Sequence, residues 1–290
     1  MSKNKVQAKK AGWIYTSWRK FKRSKASLAG AIIVAIVVLM AAFAPVIAPK
    51  NPRRLHFGAV NRPPSPEFWL GTDNHGRDVF SFVVWGSRVS LLVAAGAVLI
   101  ELVIGLVIGV FAGYLGGKMD NVLMRITDLF LTLPPIVLLI VAVSMLRVRS
   151  IIVIMAIMGI LTWPWMTRVV RSQVMSLKEL AFVESAKSMG ASDLRVIFKH
   201  ILPNSLSPIV VLTTLDLAWF ILYEATLSFL GLGDPTAVSW GTLINSGRLY
   251  LTTAWWTSTF PGLAVFFTIL GLNLLGDGLR DALDVKIGRV

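Results

Sequence analysis

Residues 89–115 read V-S-L-L-V-A-A-G-A-V-L-I-E-L-V-I-G-L-V-I-G-V-F-A-G-Y-L. Glu101 alone interrupts an otherwise uncharged stretch. A helix needs roughly 20 residues to cross ~30 Å of hydrocarbon, so this run is long enough to span a bilayer. It lacks the apolar–polar alternation of a barrel strand. In lipid a backbone must satisfy all its own N–H and C=O groups, which leaves helices or closed barrels. The continuous run selects the helix. Further spans are expected at about 28–48, 120–146, 150–172, 205–230 and 257–277. The expected fold is therefore an all-α integral membrane protein with six transmembrane helices.

Composition agrees with that expectation. Of 290 residues, 55% are hydrophobic and 15% charged, and the mean hydropathy is +0.71. A soluble domain carries about a quarter charged residues. The absence of cysteine excludes disulfide staples, thiolate metal sites and a cysteine nucleophile. The formal charge of +14 would suggest nucleic acid in a soluble protein. Here no basic stripe lies on a soluble domain, and basic residues instead mark the cytoplasmic side of a membrane protein. No nucleic-acid partner is expected.

Residues 1–27 form a basic tail: Lys3, Lys5, Lys9, Lys10, Arg19, Lys20, Lys22, Arg23 and Lys25, with no acid. Trp13, Ile14, Trp18 and Phe21 interleave at helical spacing, which predicts a short interfacial helix on the inner leaflet. Residues 28–88 combine a first anchor span with an external loop rich in proline. The anchor is too long for the apolar region of a secretory signal. Residues 89–290 form a five-span core. With six spans and the tail inside, both termini, residues 116–119 and residues 173–204 are cytoplasmic. The 173–204 segment is basic as that requires, whereas the loop over 49–88 is an exception, with Lys50, Arg53, Arg54, Arg62, Arg77 and Arg88.

The segment E-L-A-F-V-E-S-A-K-S-M-G-A-S-D-L-R-V-I-F-K-H-I-L-P-N, Glu179 to Asn204, predicts two short helices over 178–203. Gly190 ends the first, because glycine tolerates the left-handed conformation of a helix stop. Ser192 caps the second, and Pro203 is expected to stop it. The result is a compact charged knuckle suited to docking a soluble partner.

These residues resemble the cytoplasmic motif E-A-A-x3-G-x9-I-x-L-P of binding-protein-dependent ABC importer permeases. The matching positions are Glu184, Ser185, Ala186, Gly190, Leu202 and Pro203. Ser185 replaces alanine, and His200 stands where isoleucine is expected. Ala191, Asp193 and Arg195 belong to the version seen in the dipeptide/oligopeptide/nickel branch. Three further stretches resemble the second permease of a peptide importer pair. They are L-G-T-D-N-H-G-R-D-V-F-S (Leu70–Ser81), with Gly71, Asp73, Gly76, Arg77 and Asp78; L-S-F-L-G-L-G (Leu227–Gly233); and L-L-G-D-G-L-R-D-A-L-D (Leu274–Asp284).

The resemblance implies the type I ABC importer permease fold and a place in a bacterial or archaeal plasma membrane. It implies a homologous partner permease, two cytoplasmic ATPase subunits and an extracytoplasmic solute-binding protein. It also implies that Glu184–Pro203 inserts into a cleft on one ATPase. Peptides are the expected solute, with nickel, glutathione or oligosaccharide as alternatives.

Glu101, Asp216 and Glu224 fall within apolar segments, and Asp128 near the end of one. A carboxylate inside a membrane costs several kcal/mol and faces a cavity or another helix. The first three are candidates for a solute path. The competing readings are polar contacts between helices and a proton-driven secondary transporter using the same acids. Gly105, Gly109 and Gly113 recur every four residues, a spacing that lets helices pack closely.

A phosphate loop, G-x4-G-K-[ST], is missing: Ala112 and Met119 break the nearest approach at Gly117-Lys118. No cofactor is therefore expected in this chain, and ATP and Mg²⁺ would be bound by partner subunits. No enzyme activity and no metal site are expected. His56, His75 and His200 are far apart in sequence, and the H-E-x-x-H pattern is absent.

Overall fold

The computed structural model describes residue 15, residues 18–146 and residues 149–283. All regular structure among them is helical apart from one isolated bridge between Thr72 and Asp78. Helices α1 (Lys25–Ala42) and α2 (Ala44–Ile47) lead into an irregular loop. Then follow α3 (Val79–Leu115), α4 (Gly117–Leu131), α5 (Pro135–Met145), α6 (Ile151–Lys178), α7 (Ala181–Ser188) and α8 (Asp193–Val196). A π-helical turn (Ile197–Ile201) joins α8 to α9 (Leu202–Phe229). The last two helices are α10 (Trp240–Gly247) and α11 (Trp256–Leu283).

Among the described residues, five helices are long and apolar enough to cross a membrane. The α4–α5 pair passes the same test as one span broken by an 81° bend, which gives the six expected spans. The break falls at Thr132–Pro134. Proline supplies no N–H and clashes with the preceding turn, so the Pro134-Pro135 pair ends one helix and starts the next. Pro164 sits inside α6 without interrupting it.

The expected start of the second span, residue 89, is ten residues late. The helix begins at Val79 because the carboxylate of Asp78 accepts the backbone N–H of Ser81 at 2.9 Å, an N-cap that satisfies an orphan donor. Pro203 does not stop its helix either. Residues Asp193–Phe229 run as one helical rod. The π turn widens the backbone so that Leu202 N–H reaches Ile197 C=O, and this wider turn lets the rod pass Pro203, which has no N–H to donate, without ending.

Glycines set the main helix contact. A Cβ on Gly105 would lie 2.6 Å from Met166 Cγ, on Gly109 2.7 Å from Val170 Cβ, and on Gly113 2.9 Å from Val174 Cβ. Gly159 answers from α6, where a Cβ would lie 2.5 Å from Ile100 Cβ. The pairs ascend together, so α3 and α6 run parallel, which requires α4–α5 to return between them. Helix α1 runs antiparallel to α11: Gly30 meets Gly271 and Leu275, while Ser27 meets Gly278. Backbones this close gain dispersion contacts that lipid cannot replace.

Six passes place residues 18–24, the α3–α4 corner, the 179–201 segment and the end of α11 on one face. The 49–78 loop, residues 149–150 and residues 230–255 lie on the other. Of the predicted interfacial helix, residues 18–23 are helical, with Trp18 and Phe21 stacked at 5.9 Å; Trp13 and Ile14 lie outside the described residues, as does Asp284 of the C-terminal motif.

Candidate functional site

Three groups of predicted residues find places in this frame. The first is the knuckle. Helix α7 closes at Gly190, whose φ of +81° is left-handed. Ala191 N–H bonds Ala186 C=O at 3.1 Å and Gly190 N–H bonds Lys187 C=O at 2.9 Å, the paired bonds of a glycine stop. Ser192 occupies the cap of α8, but its side chain makes no capping bond. Val183, Val196 and Ile201 are fully buried beneath the corner. Above them Glu184, Ser185, Asp193 and Arg195 are exposed, His200 and Leu202 are half-buried, and Pro203 is exposed. Met189, Leu194 and Phe198 add large apolar side chains to the same exposed surface.

The knuckle is tied to the spans. The Tyr114 hydroxyl, at the end of α3, donates to the Asp193 carboxylate. Lys178 Nζ donates to Tyr114 C=O at 2.6 Å, and Lys187 Nζ lies 4.9 Å from the Tyr114 ring centre. One helix away, Arg171 grips Asp120 through two bonds of 2.5 and 2.6 Å, and Arg168 meets Asp128 at 2.5 Å. These ion pairs fasten α4 to α6 beside the corner. Sequence reading missed Tyr114 and Lys178 because nothing local distinguishes them from residues at any helix end.

The second group is the intramembrane acids, which the structure separates. Glu101 (α3) and Asp216 (α9) line one cavity of about 400 Å³, together with Thr162, Pro135 and Tyr223. One oxygen of each carboxylate, Glu101 Oε2 and Asp216 Oδ2, is buried without a hydrogen-bond partner. Glu224 does not line that cavity. Its Oε2 accepts from Ser90 at 3.0 Å and its Oε1 from Ser228 at 2.8 Å. It knits α3 to α9.

The third group is the 71–78 motif, which builds the loop itself. Gly71 and Gly76 both have positive φ, and a Cβ on Gly76 would lie 2.3 Å from His56 C=O. Asp73 is fully buried; it accepts from the backbone of His75 and Arg77, each at 2.8 Å, and from Arg77 Nε at 2.6 Å. Trp256 Nε1 donates to Thr72 C=O at 3.0 Å, and Trp240 Nε1 to Val83 C=O at 2.9 Å. The motif thus holds the loop to α11 through Thr72 and to α3 through the Asp78 cap, and Trp240 ties α10 to α3.

Comparison with known proteins places these features in a family. The family model described as "Binding-protein-dependent transport system inner membrane component" matches residues 105–289. The model "N-terminal TM domain of oligopeptide transport permease C" matches residues 13–64. The chain is 39% identical over 274 residues to a glutathione transport system permease protein, GsiD, of Pectobacterium atrosepticum, covering 93% of this chain and 90% of that one. It is 38% identical over 277 residues to the dipeptide transport system permease protein DppC of Bacillus subtilis, covering 94% and 86%. The oligopeptide transport system permease protein OppC of the same organism is 37% identical over 269 residues, covering 92% and 88%. Among solved structures, the inward-facing MetNI methionine ABC transporter matches with a TM-score of 0.57 at 20% identity, over 71% of this chain and 98% of that one, a likeness of fold. Its multi-span helical frame, its knuckle and both family matches make this chain a member of the binding-protein-dependent transport system inner membrane components, the non-catalytic membrane subunits of bacterial ABC importers that work with an ATPase and a solute-binding protein.

Proposed function

We propose that the chain forms half of the translocation path of an importer for short peptides, beside a homologous permease. In this reading the face bearing the 179–201 knuckle and both termini is cytoplasmic. The basic tail supports that orientation, since cytoplasmic segments collect Lys and Arg. Two ATPase subunits bind ATP and Mg²⁺, and Glu184–Pro203 docks into a cleft on one of them. The observation that carries the proposal is a rigid exposed corner, closed at Gly190 and anchored through Tyr114 to a spanning helix. A coupling element must be stiff, so that motion of a partner is passed on rather than absorbed.

The solute class rests on relatives named for dipeptide, oligopeptide and glutathione transport. Those solutes share a short peptide skeleton with charged ends. Nickel and oligosaccharide remain the alternatives to be tested beside them. The experiment reconstitutes the permease pair, ATPases and binding protein in vesicles and follows uptake of dialanine, trialanine and glutathione. Uptake that needs ATP and stops when the ATPase cannot hydrolyse it supports the proposal. Uptake by this chain alone, driven by a proton gradient, would instead establish a secondary transporter.

A further inference from the structure

Glu101 and Asp216 reach the same cavity from different helices, although the chain could have satisfied them otherwise. Glu224, on the same helix as Asp216, shows how: serine hydroxyls reach both of its oxygens. Glu101 and Asp216 are 2% and 7% exposed, yet each keeps one oxygen without a partner. An unpaired buried carboxylate is expensive, so its retention calls for something that arrives from outside. The cavity lining contains no Lys, Arg or His. Nothing in it neutralises the two acids.

The remaining lining narrows the visitor. Phe130, Trp219 and Tyr223 share the cavity with the carboxylates. Acids beside aromatic rings suit a protonated amine, which donates charge-assisted hydrogen bonds to carboxylates and gains a cation–π contribution from rings. A metal ion is a poorer match. Among the described residues no three or more His, Cys, Asp or Glu side chains converge, and hard cations take six or more oxygens. A route exists as well. A second cavity, of about 600 Å³, shares Trp165, Leu212 and Leu215 with the first and extends to Gln173, Ser207 and Arg280. The two together run from the middle of the spans toward the face of the knuckle. Trp165 and Trp219 are each more than half exposed beside the cavity, so the site is open along the flank of the helices.

We infer that Glu101 and Asp216 form a binding station on the translocation path that receives the protonated amino group of the solute. The inference rests on the importer reading and adds which group of the solute is recognised, and where. Glu224 has no part in the station.

Two measurements test it. In the purified wild-type assembly, a hydrophobic carbodiimide is allowed to modify Glu101 and Asp216 with n-butylammonium or n-butanol present, and labelling is read by mass spectrometry as the sum of the N-acylurea and the butylamide that a primary amine forms from the activated carboxyl. In vesicles, trialanine uptake is compared between wild type and the double variant Glu101→Gln/Asp216→Asn, which keeps side-chain shape. Butylammonium should slow labelling at both positions while butanol does not. Uptake by the double variant should fall by about tenfold or more, the loss of a charge-assisted contact. Equal labelling with the two additives, or wild-type uptake by the double variant, overturns the inference. If butylammonium protects but the wild-type assembly does not import trialanine, the station stands and the peptide reading falls.

Discussion

The hydroxyl of Tyr114, at the end of one spanning helix, donates a hydrogen bond to the carboxylate of Asp193, at the start of the second knuckle helix. It bridges 79 positions of sequence and fixes the exposed corner to the helix that packs on α6 through Gly105, Gly109 and Gly113. Removing the hydroxyl with Tyr114→Phe keeps the buried ring. Because Asp193 is exposed, the local loss should be only about 1 kcal/mol. Uptake per ATP hydrolysed should nevertheless fall several-fold, because the corner would lag behind its partner. Simultaneous assays of phosphate release and uptake check this; an unchanged ratio argues against coupling through Tyr114.

Gly190 offers a cleaner separation of shape from space. Nothing in this chain lies within 4 Å of where its Cβ would be, so within the subunit a substitution acts through the left-handed backbone. That conformation costs an ordinary L-residue roughly 1–2 kcal/mol, and asparagine less. Uptake should therefore rank wild type, then Gly190→Asn, then Gly190→Ala, then Gly190→Val. Glu184→Lys, on the exposed face, should abolish uptake while leaving the protein in the membrane. A ranking that follows side-chain size without sparing asparagine would point to a steric role instead.

The glycine seam makes a prediction about stability. Gly109→Val would force a Cβ into the position 2.7 Å from Val170 Cβ and 2.8 Å from Thr167 C=O. Overpacking of this kind costs about 1–3 kcal/mol or more, so thermal unfolding in detergent should move clearly downward. Gly262→Ala, with open space around it and no positive φ, should stay within about 0.5 kcal/mol of wild type.

The buried Asp73 sets a third stability test. Arg77→Ala removes its cationic partner but leaves two backbone donors in place. A loss of about 1–3 kcal/mol is expected, seen as a lower melting temperature and faster proteolysis of the 49–78 loop. Asp73→Asn, with Arg77 still present, should lose less than Asp73→Ala, since the amide oxygen can still accept those backbone bonds.

What the sequence made legible follows from how local each signal is. Spans are visible as apolar runs, and the stop at Gly190 as one glycine after good helix formers. The start of α3 is hidden because its cap, Asp78, lies in a polar stretch that reads as loop until Trp256 is seen donating to Thr72 within it. Pro203 reads as a stop in the sequence because a π turn is a backbone rearrangement with no residue signature. Glu101 and Asp216 could not be told from Glu224, since the difference lies in a hydroxyl such as Ser90, 134 residues from its partner. Which acids are satisfied is a tertiary property.

The chain's lack of cysteine allows crosslinking to test whether the 179–201 corner is where this subunit meets its ATPase. A single cysteine at Met189, 81% exposed at the tip of the corner, is paired with cysteines along the cleft of the partner ATPase. A control cysteine replaces Glu67 in the opposite loop, where the side chain is exposed. Met189→Cys should form a disulfide with the ATPase in the assembled importer at a rate that ATP alters, and Glu67→Cys should form none. Crosslinking through Glu67→Cys with none through Met189→Cys would contradict both the orientation and the coupling role.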